Sequence, residues 1–190
     1  MDTWVWIVIA IAAVVVLGIV LWSALRTRRT RTLREGFGPE YDRTVAEAPS
    51  KREAEADLAD RQKRREELDI RPLSPGARER YVISWRETQA RFVDDPAGSI
   101  GDADALIQQV MRERGYPVED FDQRAADVSV DHPEVVNNYR AAHGISTAHE
   151  RGKASTEDLR QAVIHYRSLF DELLETREGE QTETTAETTR

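Results

Sequence analysis

Between Trp4 and Leu25 the chain reads WVWIVIAIAAVVVLGIVLWSAL, 22 residues with no charge and no proline. As a helix rising about 1.5 Å per residue, this run covers roughly 33 Å, enough for a hydrocarbon core of about 30 Å. Thirteen of its residues are Val, Ile or Leu. Together they favour insertion by about 4–8 kcal/mol. Trp4, Trp6 and Trp22 stand near its two ends, where interfacial aromatics sit. A buried core helix of this length would carry a polar position, so the run predicts a transmembrane helix. A cleaved signal peptide fits poorly. Asp2 stands where a basic flank is needed, and the apolar run is too long.

Orientation follows from the basic residues. The N-terminal flank has no Lys or Arg, whereas the other flank carries Arg26, Arg28, Arg29, Arg31 and Arg34. The positive flank stays inside. The expected arrangement is a single-pass protein of the bacterial plasma membrane, with its N-terminus outside and its C-terminal domain in the cytoplasm. The membrane-interface residues are then the three tryptophans and these five arginines. Each arginine can gain about 1 kcal/mol from the anionic lipid of the inner leaflet. The same arginines do not predict nucleic-acid binding. Residues 35–190 hold 22 basic and 34 acidic residues, a net −12, which would repel a polyanion.

The remainder divides by composition. Residues 1–25 form the anchor, and 26–49 a basic juxtamembrane segment and hinge. Gly36, Gly38, Pro39 and Pro49 interrupt the helical pattern there. Residues 50–70 form a charged helix, opened by a Ser50/Glu53 capping box and poor in apolar positions beyond Ala54, Leu58 and Leu68. Residues 71–175 form a helical domain, and 176–190 a disordered Thr/Glu-rich tail. No segment alternates with period two. The fold class is therefore all-α: one transmembrane helix, a linker and charged helix, then a bundle of about five helices.

Caps punctuate that bundle. Ser74-Pro75 opens a helix with Ala77, Tyr81, Trp85 and Phe92 inward and Val82 and Val93 widening the stripe, closed by Asp94-Asp95-Pro96. Asp102 is expected to cap a second helix, with Leu106, Ile107, Val110 and Met111 inward and Gly115 as its stop. Asp120 opens a third, through Phe121, Ala125 and Val128. Asp131 is expected to cap a fourth, with Val135, Val136, Tyr139 and Ala142 inward and Gly144 as its C-cap. Residues 145–154 (ISTAHERGKA) then read as the longest loop. Ser155 and Asp158 cap the last helix, whose face from Leu159 to Leu174 is the strongest amphipathic stripe in the chain.

Several strings, among them LREGFGPEYDRTV (33–45), VMRERGYP (110–117) and STEDLRQAVIHYRSLF (155–170), resemble a family of uncharacterised, N-terminally membrane-anchored actinobacterial proteins. The resemblance covers nearly everything outside the tail. It implies an anchored helical protein and carries no catalytic or binding residues.

Signals for chemistry are weak. With no cysteine, thiol catalysis and Cys-ligated metals are excluded. His149-Glu150 begins like a zinc-protease motif, but Lys153 stands where the second His is needed. Asp127, Asp131 and Glu134 cluster without the spacing of a calcium loop. His143 is expected near a helix end, beside the last carbonyls. Arg124 stands between Asp122 and Asp127, where an ion pair is expected. No catalytic, cofactor-binding or metal residue is therefore assigned, and no cofactor. The favoured function is a membrane-tethered helical interaction module with a protein partner. The alternative is a small-ligand sensor or enzyme whose site is assembled from dispersed residues.

Overall fold

The computed structural model describes residues 3–175, with the side chains at 3, 5–15, 19, 22 and 25 excepted. The expected tail at 176–190 lies outside the described residues. The described chain is all-α: α1 (Thr3–Glu47), α2 (Lys51–Glu66), α3 (Pro75–Arg91), α4 (Pro96–Arg114), α5 (Phe121–Asp131), α6 (Val136–Glu150) and α7 (Thr156–Leu174). It divides into two compact units, Met1–Ala59 and Asp60–Arg190.

In the first unit, α1 continues through the region read as juxtamembrane segment and hinge. The helix breaks at one residue only: Gly38 adopts φ 45° and ψ −123°, and Pro39 follows it. That conformation suits glycine alone. Pro39 begins the next helical stretch, where a missing N–H costs little. Gly36 therefore does not interrupt the helix, and Leu33, Phe37 and Tyr41 are buried. The sparse α2 is also more than a solvated stalk, because Ala54 and Leu58 are fully buried. Glu55 fastens α2 to α1. Its Oε1 accepts from the Thr30 hydroxyl at 2.8 Å and the Tyr41 hydroxyl at 2.9 Å. Burial pulls its carboxyl pKa up, but those two donors and Lys51 outweigh it and hold the group below its ordinary range. Ser50 Oγ accepts from the Glu53 N–H at 3.3 Å, as the cap predicts. Among the described residues, no helix is long and apolar enough to cross a membrane.

The second unit is a five-helix bundle from Pro75 to Leu174. Its core joins Trp85 of α3, Ile107, Val110 and Met111 of α4, Tyr139 of α6 and the whole inner face of α7. Trp85 stacks on Phe170 with ring centroids 4.7 Å apart. The expected caps hold at Ser74, Asp120 and Ser155, the last a reciprocal box with Asp158. Gly115 ends α4 with φ 98°, and a Cβ there would sit 2.3 Å from the Asp69 carbonyl oxygen.

Four local readings change. Helix α4 starts at Pro96 with Asp95 as its N-cap, so Asp102 lies inside the helix and pairs with Arg91. Asp131 ends α5 rather than capping α6, which begins behind Val135 without a side-chain cap. Helix α6 runs through Gly144 to Glu150, so most of the expected 145–154 loop is helical; the left-handed stop is Gly152, at φ 68°. Val93 is 83% exposed and does not extend the α3 stripe, because it lies past the helix end.

Candidate functional site

The carboxylates of α5 that read as a loose cation cluster are occupied by arginines. Arg61, Arg64 and Arg65 share one face of α2, since residues three and four apart align on a helix. Asp127 and Asp131 are likewise four apart on α5. Arg64 Nε donates to Asp127 Oδ1 at 3.0 Å, and Arg65 Nε donates to Asp131 Oδ2 at 2.5 Å. Arg61 Nη1 donates to Ser129 Oγ at 3.2 Å. Tyr116 adds its hydroxyl to Asp131 Oδ2 at 2.5 Å, and burial, then the Asp131 charge, push that phenol well up. Asp127 is fully buried, and Gln123 donates to its Oδ1 as well. Among the described residues, no group of three or more His, Asp or Glu side chains converges to hold a metal ion.

Beside this clamp lies a cleft of about 170 Å³, lined by Arg64, Pro117, Glu119, Asp120, Gln123 and Arg124. Arg124 forms its inner wall but not the expected ion pair. Its Nη1 donates to the Val118 carbonyl at 2.8 Å, and its guanidinium lies 5.7 Å from the Phe121 ring and 5.8 Å from the Tyr139 ring. A planar, weakly hydrated cation tolerates such burial against aromatic faces.

Behind Arg124 the core is polar. Asp104 of α4, Arg124 of α5, Tyr139 of α6 and Tyr166 of α7 each contribute a buried atom that makes no hydrogen bond: Oδ1, Nε and the two hydroxyls. The charges reach one another nonetheless. Burial first, and the Asp104 carboxylate second, push both phenols well above their ordinary pKa. Both therefore stay protonated as donors. Buried polar groups are nearly always satisfied, so four such atoms from four helices single out this interior.

A third polar group lies where α5 ends. His132 is buried, with Nδ1 3.1 Å from Glu172 Oε1 of α7. Arg114 of α4 donates to the Leu173 carbonyl at 2.9 Å. Burial lowers the His132 pKa, and Glu172 only partly offsets it. Two further histidines make contacts between helices. His143 stacks on Phe121 at 3.6 Å within α6, away from the helix end expected for it, and His165 sits 3.1 Å from Asn138 Oδ1.

The expected membrane-interface residues are placed as follows. Trp4 is exposed on α1, whereas the side chains of Trp6 and Trp22 lie outside the described residues. Arg26, Arg28, Arg29, Arg31 and Arg34 are all exposed. Arg31 pairs with Glu35 at 2.7 Å and Arg34 with Asp42 at 3.1 Å, and Arg26 too is engaged within the chain.

Composition could not reveal the α2–α5 clamp, because each pair spans more than sixty residues. The Arg spacing at 61, 64 and 65 was its only visible sign. Comparison with protein-family models, curated proteins and solved structures finds no match to this chain.

Proposed function

We propose that this chain is a single-pass plasma-membrane protein whose cytoplasmic helical bundle binds a protein partner at the inner surface. The observation carrying this reading is the state of the described apolar side chains in the first half of α1. Trp4 is 63% exposed, Leu17 60% and Leu21 62%, with Val16 and Val20 similar. Contiguous exposed apolar surface marks a membrane or partner contact. The uncharged run from Trp4 to Leu25 and the arginines that follow supply length and direction. Anionic lipid of the inner leaflet then meets Arg28 and Arg29, and the bundle faces the cytoplasm.

Fusing topology reporters to each end tests this directly. The N-terminal reporter is expected outside and the C-terminal reporter inside, with the protein resisting carbonate extraction. Release by carbonate, or an N-terminal reporter inside, overturns the reading.

A second reading, a small-ligand sensor, draws on the interior of Asp104, Arg124, Tyr139 and Tyr166. Native mass spectrometry of the intact protein discriminates. A retained small molecule that disappears in Tyr166→Phe favours the sensor, and a ligand-free mass favours the interaction module.

A further inference from the structure

Helix α2 changes character at its middle. Its buried residues, Ala54, Glu55 and Leu58, all precede residue 59. None of residues 60–66 is buried, and that half meets α5 through long arginine side chains. The fit is loose at both carboxylates it reaches. Asp127 Oδ1 accepts from Arg64 Nε and Gln123 Nε2, while Asp127 Oδ2 is buried and makes no hydrogen bond among the described residues. Asp131 Oδ2 likewise takes both Arg65 Nε and the Tyr116 hydroxyl. Each guanidinium therefore offers one N–H to one oxygen, where an arginine–carboxylate pair can form two parallel bonds. A buried acceptor atom left without a donor is rare in a folded protein.

Spacing accounts for the loose fit. Arg64 and Arg65 are neighbours in sequence, so they point about 100° apart around α2. Asp127 and Asp131 stand four apart on one face of α5. Two adjacent arginines have to splay to serve two carboxylates one turn apart. A helix lying along α5 with arginines four apart would set one guanidinium over each carboxylate. The cleft of about 170 Å³ beside the clamp gives a way in. Arg64 and Gln123, the two donors to Asp127, both line it, and so do the exposed Glu119 and Asp120. Arg64 has 45% of its side chain in solvent, so it can withdraw without unpacking a core. Once it does, two carboxylates face Arg124 alone across the cleft, and a chain of net charge −8 draws a basic partner.

We infer that the Asp127/Asp131 face of α5 is a docking surface for a basic helix of another protein, one carrying arginines four residues apart. Arg64 and Arg65 of α2 occupy that face as a displaceable guard. This names the chemistry of the partner in the interaction-module reading and rests on it.

The probe is a synthetic alanine-based helix of about 20 residues, long enough to hold helical structure, with two arginines four apart. Two controls carry the same charge. One has the arginines adjacent, and the other has lysines four apart, because an ammonium cannot form the two-pronged pair. Full-length protein is held in nanodiscs of neutral phosphatidylcholine, so that lipid charge does not capture the peptides. The arginine probe is expected to bind at least tenfold more tightly than either control. It is also expected to speed amide hydrogen exchange at residues 60–66 at least fivefold. Asp131→Asn is expected to weaken its binding at least fivefold, and the peptide series on the parent chain decides the matter even if that variant folds poorly. The inference is overturned if the three peptides bind alike, if none binds at millimolar concentration, if the probe binds while residues 60–66 keep their exchange rates, or if Asp131→Asn binds as tightly as the parent. The tethered-module reading is tested by topology reporters on the same chain without peptide, so a failed docking leaves the tethering intact.

Discussion

In Asp60–Arg190 the large hydrophobic side chains lie inside, with Ile83, Val93 and Ile164 as the exposed exceptions. In Met1–Ala59 the pattern splits along one helix. Leu33, Phe37 and Tyr41 are buried, whereas Trp4, Val16, Leu17, Val20 and Leu21 are exposed. The bundle draws its stability from packing between its own helices. The described apolar side chains in the first half of α1 are exposed, and the proposed bilayer is what would cover them. The buried part of the first unit is small and is joined by polar contacts such as Glu55 with Thr30 and Tyr41. The lesson is that hydrophobic content alone does not define a core. The bundle shows mixed composition with deep burial, and the start of α1 shows nearly pure apolar composition with none among its described side chains.

The sharpest way to break this comparison is to remove residues 3–25. Membrane association is then expected to vanish, while the bundle keeps its cooperative melting transition. Sedimentation and calorimetry read the two outcomes, and loss of the transition would show that the bundle depends on α1. Next in size is Trp85→Ala, which removes the ring stacked on Phe170 and is expected to cost about 3–5 kcal/mol in denaturant titration. Its control, Val93→Ser, is expected to stay within about 0.5 kcal/mol, because Val93 faces water.

A smaller effect belongs to Asp127→Asn. It weakens the buried acceptor of Arg64 and Gln123 and is expected to cost about 1–3 kcal/mol. A neutral result would mean that the α2 arginines do not hold α5. In the first unit, Gly38→Ala forces a Cβ into a left-handed backbone conformation and is expected to cost about 1–3 kcal/mol. Hydrogen exchange around Glu55 reads it locally, since a global melt is dominated by the bundle.

The subtlest prediction concerns pH. Burial lowers the His132 pKa, and Glu172, Arg114 and Asp131 also act on it. The unfolded chain therefore binds this proton more readily than the native one. Stability is complete above the ordinary histidine pKa of about 6.5 and falls as the pH drops below it. His132→Gln is expected to flatten that fall, and an unchanged slope would assign it to other groups.

Much of the bundle was legible because its helices begin with strong local signals. Ser74-Pro75, Asp120 and the Ser155/Asp158 box each satisfy orphan N–H groups from within a few residues. The misreadings arose where two local signals competed. Asp94-Asp95-Pro96 read as the end of one helix and Asp102 as the cap of the next, but Asp95 caps α4 because Pro96 is pre-set for the first helical position. Gly144 resembled a stop, but a mid-helix glycine costs only about 1 kcal/mol, and α6 packing through Tyr139 and Ala142 outweighs that. Pro39 resembled a breaker, yet it sits at the start of a helical stretch, where proline is tolerated. The candidate site was less legible for a different reason. Arg64 with Asp127, and Tyr166 beside Asp104, are brought together by tertiary packing alone, and no spacing rule reaches across such separations.

The stacking of Trp85 on Phe170 has an optical consequence. The other three tryptophans, Trp4, Trp6 and Trp22, all precede residue 26. A chain lacking residues 3–25 therefore holds one indole emitter, 4.7 Å from an aromatic ring on another helix. Its emission colour would report how well the indole is shielded from water where α3 packs on α7. Ultraviolet circular dichroism would report helix content in the same sample. Any state in which helices persist while their packing loosens would show itself as a red shift without a loss of ellipticity, with no dye attached.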